Sequence, residues 1–342
     1  MTSTGRERFP PAAVVVATRN RAALLARLLD TLSRQQDAPP FEVLVVDDGS
    51  TDGTADRVEQ TKGRRAFPVR LLRREVATGP AGARNCGWRA TDAPFVAFTD
   101  DDCMPASTWL GELTKLLESA GADFVAGPTT YPEDQADRRS TFAHWMEDDG
   151  HSGHYSTSNV MYRRAVLEAL GGFDEGSFRY RRSGRAARCI NGEDTDLAWR
   201  AIEAGFDPGF APAAVVHHEV FPASWRNHLR DIPRLEGLVL LMKKHPQLRA
   251  HFGRRVIYRT EDAAALAVIA STAGIGSRRL RPLAMLGAAV TAGVYVWMFR
   301  RFRPPPRGRG GYLVAIPLGF VADSYAAMVM LGASVRYRTL LL

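Results

Sequence analysis

The chain has 342 residues, 45% of them hydrophobic and 24% charged, which supplies a core for one large or two modest domains and excludes a disordered or low-complexity protein. Its formal net charge of +8 comes mostly from arginine and suits a nucleic acid, a phosphorylated substrate or an anionic membrane surface alike. Three cysteines, Cys86, Cys103 and Cys189, are odd in number and unevenly spaced, which argues against a disulfide framework and favours a reducing compartment.

The opening MTSTGRERFPP has no apolar run after its charges, so no secretory signal is expected. AVVVA at 13–17 is short, β-branched and followed by TRNR, the pattern of a buried strand ending in a loop; residues 22–32 read as an amphipathic helix. A second strand, FEVLVV at 41–46, ends in DDGSTDGT, and ADRVEQTKG continues as a helix whose N-terminus is supplied by Thr51 or Asp52. A third, PVRLLR, precedes TGPAGARNCG, which reads as a loop. A fourth, FVAF, runs into three consecutive aspartates, Asp100, Asp101 and Asp102. Strands alternating with helices at this spacing imply a parallel sheet with right-handed crossovers. Ligands of such sheets sit at the carboxyl ends of the strands, where all four polar signatures fall.

Further along, FVAGPTTY at 124–131 reads as a strand and 132–156 as a polar stretch rich in His and Asp. His144, His151 and His154 match no usual zinc spacing and read as part of a polar loop near an acceptor cleft. SNVMYRRAVLEALGGFDE reads as a strand end, a helix and a glycine-terminated turn. GEDTDLAWRAIEAGF reads as a helix capped at its far end by Gly205, followed by a strand-like AAVV and the pair His217, His218.

Beyond about residue 260 the composition turns apolar and small. ALAVIASTAGIG is too short to span a bilayer, PLAMLGAAVTAGVYVWMF is marginal, and YLVAIPLGFVADSYAAMVMLGASV is long enough but carries Pro317 and Asp323. Arginine clusters at 278–281, 300–309 and 336–338 separate these runs. Two simple spans cannot put every cluster on one side, so a re-entrant pair or helices lying in the interface fits the charges better than two crossings. A soluble bundle of Ala/Gly-rich helices is the bland alternative.

Three like charges side by side repel, and burial raises their pKa values unless a cation is present. Asp100 and Asp102, one residue apart on a turn, can both face a hard divalent cation and leave positions open for phosphate oxygens. An acidic loop that starts the helix PASTWLGELTKLL is the other reading. In VVDDGSTDGT the glycines and small hydroxyls make a tight turn, with Asp47 and Asp48 placed to accept hydrogen bonds from a base or ribose. On a helix, Glu193, Asp194, Leu197 and Arg200 project differently, so one carboxylate of the Glu-Asp pair faces a cleft while Leu197 faces the core.

The ordered set VVVATRNR, VVDDGSTDGT, GPAGARNCG, FTDDDC, SNVMYRR, GGFDE and GEDTDLAWR resembles the family 2 glycosyltransferases of GT-A fold, over roughly residues 14–226. The resemblance implies an α/β fold, a mostly parallel sheet flanked by helices, with residues 1–229 as the catalytic domain and 230–342 as an apolar, helical, membrane-associated region. Within the first, about 10–130 would bind the nucleotide and about 131–229 the acceptor. It also implies roles. Thr18 and Arg19 would line the nucleotide pocket, Asp47 or Asp48 would contact the nucleoside, and Arg84 and Asn85 would sit beside the nucleotide or metal loop. Asp100 and Asp102 would match the Asp-X-Asp motif, with Asp102 the direct ligand of Mn²⁺ or Mg²⁺; because Asp101 is also acidic, which pair points inward stays open. Asp194 would be the catalytic base, with Glu193 the second choice, and His218 a further metal ligand or a structural histidine. Asn159, and Arg182 and Arg185 in the arginine-dense RYRRSGRAAR, are the acceptor-binding candidates, the arginines suited to a phosphate or reading simply as a solvated loop.

The expected activity is a single inverting displacement from a nucleotide sugar to an acceptor hydroxyl on a glycan or lipid-linked glycan, by a cytoplasmic domain at the inner face of the plasma membrane. The Gln-X-X-Arg-Trp motif of processive synthases is absent, which favours single addition. A nucleotidyltransferase would want a glycine-rich phosphate loop after the first strand, which TRNRAALL lacks. A non-catalytic membrane-associated protein of the same fold is the remaining rival. No nucleic acid is expected, since the arginines are not interleaved with aromatics in a recognisable module.

Overall fold

The chain runs β1 (Ala12–Thr18), α1 (Ala22–Leu32), β2 (Phe41–Asp47), α2 (Thr54–Thr61), β3 (Val69–Arg73), α3 (Pro80–Arg89), β4 (Phe95–Phe98), a regular alternation of strand and helix. The structure is a computed structural model that describes residues 10–119, 121–150, 152–180, 188–222, 224–251, 256–257, 259–307 and 310–341. β1 is central because its Ala and Val run can be buried on both faces. Val14 and Val16 enter one core, Ala13 and Val15 the other. α1 closes the first core with Leu25, Leu28, Leu29 and Leu32, one stripe of a helix, each leucine contributing roughly 1.5–3 kcal/mol on burial.

TGPAGARNCG, expected as a loop, forms the start and body of α3. Gly79 turns the chain at φ +90°, Pro80 begins the helix where no N–H is needed, and the Asp48 carboxylate receives the N–H groups of Thr78 and Gly79. The internal glycine serves helix-on-sheet packing: a Cβ on Gly87 would stand 2.3 Å from Val15 Cγ1.

After β4 come β5 (Cys103–Pro105), α4 (Trp109–Ser119), β6 (Phe124–Ala126), β7 (Thr129–Thr130), β8 (Val160–Arg163), α5 (Arg164–Leu170), β9 (Arg179–Tyr180), β10 (Arg188–Cys189), α6 (Glu193–Glu203), β11 (Pro208–Phe210) and β12 (Val216–His218). FVAGPTTY is therefore two strands in two sheets. The break falls at Gly127 and Pro128, where a Cβ on Gly127 would stand 2.2 Å from the Ala214 carbonyl oxygen.

The main sheet has the order β11-β6-β8-β4-β1-β2-β3, with β8 antiparallel to its two neighbours and the other pairs parallel. Strand order reverses at β1, which opens a crevice at the carboxyl ends of β1 and β4, just past Thr18 and Phe98. A second sheet, β5-β12-β7, pairs His218 with Cys103 and so fixes which histidine lies beside Asp102.

Contacts divide the chain into two compact units. The α/β unit comprises Met1–Pro132, Met146–Cys189 and Glu193–Glu219; the helical unit comprises Glu133–Trp145, Ile190–Gly192 and Val220–Leu342. The helical unit is built from α7 (Trp225–Asp231), α8 (Glu236–Lys244), α9 (Thr260–Ser271), α10 (Arg281–Phe302) and α11 (Gly311–Tyr337). Its helices pack through small residues: Phe299 presses onto α11 at Gly319, where a Cβ would come within 2.1 Å of the ring.

Candidate active site

The three aspartates after β4 have three different sets of partners. Asp100, partly exposed, takes Arg84 Nη2 at 2.7 Å. Asp101, 4% exposed, accepts from the Thr18 hydroxyl at 2.7 Å and from Arg21 Nη1 at 2.9 Å. Asp102 uses Oδ2 to receive the same Arg21 nitrogen and turns Oδ1 toward His218 Nε2, 3.4 Å away. Burial pushes Asp101 up to about 6, against the pull of Arg21 and with a further push from Asp102. The middle aspartate thus braces the β1 loop, and Asp100 and Asp102 flank it.

His218 Nδ1 lies 2.8 Å from the Glu219 carbonyl oxygen. A carbonyl only accepts, so Nδ1 donates to it and Nε2 is the nitrogen turned toward Asp102 Oδ1. Imidazole nitrogen and carboxylate oxygen at that separation are joined by a positive charge, a proton on the ring or a cation between them. Ligand atoms of Asp100, Asp102 and Cys103 all lie within 4.8 Å of one another. Burial pushes the Cys103 thiol well above its ordinary range, and its soft sulfur suits a hard cation poorly. Carboxylate oxygen and imidazole nitrogen remain, a donor set that fits Mn²⁺ or Mg²⁺ with few protein ligands.

Arg84 is buried on α3 and bridges Asp100 and Glu193, the latter at 2.9 Å, tying the β4 end to the start of α6. Burial first, then the neighbouring Asp194 carboxylate, raise Glu193 above the ordinary carboxylate range against the pull of Arg84. Asp194 is half-buried and accepts the N–H groups of Thr195 at 2.8 Å and Thr157 at 3.3 Å. Of the two acids, Asp194 is the one with access to solvent. A small cavity lined by Thr129, Asp148, Ser152, Tyr155 and Asn159 extends to Ser156, next to Thr157.

Several expected site residues serve as braces. Asp47 Oδ1 receives the Ser50 N–H at 2.9 Å, while its Oδ2 is buried and unpartnered. Asp48 holds the start of α3, as described above. Asn85 bonds the Phe173 backbone at both N–H and carbonyl, and reaches Glu175 and Trp88 as well. Asn159 accepts from Trp109 Nε1 and donates to the Pro128 and Ala214 carbonyls, so its amide is engaged at both ends. Arg19 is exposed on the loop. Arg182 and Arg185 lie outside the described residues. Sequence reasoning missed Arg21. The signal was available, since TRNR offers two arginines and the second sits at the N-cap position of α1, where the helix start aims it at the aspartates.

Residues 13–171 match the family model described as glycosyl transferase family 2. A 230-residue stretch is 29% identical to glycosyltransferase AglE of Haloferax volcanii, covering 65% of this chain and 70% of that one. A 231-residue stretch is 31% identical to the pre-mycofactocin glycosyltransferase of Mycobacterium tuberculosis, covering 64% of this chain but only 43% of that longer one. Among solved structures the fold is similar to that of the mannosyltransferase PcManGT from Pyrobaculum calidifontis in complex with GDP-Man and Mn²⁺, at a TM-score of 0.62 and 19% identity over 94% of this chain and 88% of that one. The α/β unit thus carries a glycosyl transferase family 2 match over residues 13–171 and shares the fold of that mannosyltransferase.

Proposed function

We propose that the chain is an inverting, metal-dependent glycosyltransferase that moves a sugar from a nucleoside diphosphate donor to an acceptor hydroxyl on a glycan or lipid-linked glycan. The observation that carries this reading is Asp102 Oδ1 facing His218 Nε2 at 3.4 Å in the crevice beyond β4. In the transfer, the acceptor oxygen attacks the anomeric carbon as the bond from that carbon to the diphosphate oxygen breaks. Asp194 takes the hydroxyl proton, and the nucleoside diphosphate leaves. One displacement from the opposite face inverts the anomeric configuration. Asp102 and His218, with Asp100, would hold Mn²⁺ or Mg²⁺, which when bound neutralises charge growing on the diphosphate. Arg21 fixes Asp102 through one oxygen so that the other stays presented. Arg84 engages Glu193, which supports Asp194 in the role of base. The cysteine usage and the basic, apolar C-terminal region fit a cytoplasmic catalytic domain at the inner face of the plasma membrane.

Calorimetric titration with UDP-, GDP- and dTDP-sugars, in Mn²⁺, in Mg²⁺ and in EDTA, tests this on the wild type and on Asp102→Ala. One donor should bind in a metal-dependent way, and the variant should lose about 100-fold in affinity. Binding of no donor under any metal would transfer the chain to the non-catalytic reading.

A further inference from the structure

We infer that α9, α10 and the N-terminal half of α11 form a monotopic anchor that enters one leaflet of an anionic bilayer without crossing it. α10 and α11, at 22 and 27 residues, are each long and apolar enough to span, so length does not decide. Three observations do.

Among the described residues, the exposed large apolar side chains fall almost entirely after residue 255, with Val76 and Phe210 the exceptions. α10 presents Leu283, Leu286, Val290 and Trp297 and buries only Tyr295 and Phe299, while Leu313 at the start of α11 is 88% exposed. An apolar surface of this extent marks contact with a partner or a membrane.

Most of the second half of α11 is already covered by protein, with Met328 and Val335 left exposed. Ala322 and Ala326 pack with Ile232, Trp225 and Leu229. Arg336 and the Tyr337 hydroxyl both donate to Glu236 on α8, and Arg249 donates to Thr339 and the Leu340 carbonyl. At the middle of the helix, Asp323 is buried and receives Tyr295, Arg259 and Arg303. The stretch before this packing begins, residues 311–321 with Leu313, Val314 and Val321 exposed, rises about 17 Å. A hydrocarbon core is about 30 Å thick, so this reaches through one leaflet and stops.

The charges agree. Arg278, Arg279 and Arg281 stand exposed at one end of α10, and Arg300, Arg301 and Arg307 at or beyond the other. If α10 crossed, one cluster would lie on the outer side, against the positive-inside bias. Lying along one leaflet, both clusters reach anionic headgroups. A second copy of the chain on the same face would bring these like-charged clusters together, which disfavours it as the occupant.

The anchor rests on the membrane placement proposed above and is independent of the transfer chemistry. The test uses the full chain with a cysteine introduced singly as Arg279→Cys or Arg307→Cys, the parent chain giving the background. Each is added to sealed vesicles of phosphatidylcholine alone or mixed with phosphatidylglycerol. Flotation should show at least ~10-fold stronger binding to the mixed vesicles. Both cysteines should react with an impermeant maleimide added outside, without detergent. Protection of one position until detergent is added would mean that the segment crosses. Equal binding to both lipids, or no flotation together with concentration-dependent self-association in sedimentation, would each overturn the anionic-leaflet anchor. Donor titration on the same preparations separates the two readings: lost flotation with intact donor binding sinks the anchor alone, and the converse sinks the transferase alone.

Discussion

Both units bury aspartates against arginines, and the two clusters differ in which oxygens stay open. In the α/β unit Asp102 engages Arg21 through Oδ2 and turns Oδ1 toward His218 Nε2 at the mouth of the crevice. In the helical unit Asp323 is fully enclosed, with Oδ2 receiving Tyr295 at 2.8 Å and Oδ1 receiving both Arg259 and Arg303. Desolvating a carboxylate costs several kcal/mol in either place, and arginine offsets it in both. An aspartate with an oxygen left for a ligand can recruit a cation and a diphosphate; one with both oxygens engaged, as Asp323 is, can only fix helices. The presence of buried acid therefore says little about function until each oxygen has been followed to its partner.

The contrast breaks most visibly on the catalytic side. Asp194→Asn should lower kcat by about 1,000-fold with the donor KM little changed, because the proposed base acts on the acceptor proton and not on the donor. Steady-state kinetics check this. If Glu193→Gln caused that loss and Asp194→Asn did not, the assignment of the base would reverse, and Arg84 would have to release Glu193 during turnover. On the structural side, Asp323→Ala leaves the buried Arg303 guanidinium without its carboxylate and should destabilise the helical unit by about 3–5 kcal/mol. Denaturant unfolding in detergent measures it, with donor affinity of the folded fraction unchanged. A variant that unfolds normally but no longer binds donor would show that the saturated cluster is functional after all.

Much of the α/β unit was legible in the sequence because its strands are buried on both faces and its helices carry single apolar stripes, patterns that local residues dictate. The run at 13–17 and the stripe from Leu25 to Leu32 are of that kind. Where the reading slipped, the deciding atoms were far away in sequence. Gly87 looks like a loop residue until Val15 is placed beneath it, and Gly127 ends a strand because the Ala214 carbonyl approaches it. The same holds for the site. By the resemblance TRNR offered Arg19 to the nucleotide crevice; that Arg21 is the arginine reaching the aspartates is set by the start of α1. That His218 and not His217 meets Asp102 is set by the register of β12 on β5. Asn85 and Asn159 were expected near ligands by the family resemblance; their amides also meet backbone groups up to 88 residues away, partners no local pattern reveals.

The smallest effect sharpens the comparison most. Burial pushes Asp101 up to about 6 in the folded chain from an ordinary value of 3.8. The folded state then holds this proton more tightly than the unfolded chain does, so between about pH 4 and 6 it carries more protons and the Asp101 contribution to stability falls as pH rises. Above about 6 the carboxylate is charged in both states and the loss is complete, at most ~3 kcal/mol by 1.36 kcal/mol per pH unit. Asp101→Asn mimics the neutral form, so its stability advantage over the wild type should grow from about pH 4 to 6 and then level off, read by urea unfolding in the presence of a chelator. A difference that stays flat across that window would mean that Arg21 and Thr18 hold the charged carboxylate as completely as Tyr295 and two arginines hold Asp323. Asp101 would then be as fully engaged as Asp323, with Arg21 as its counter-ion, and the flanking Asp100 and Asp102 would be the acids there left to meet a ligand.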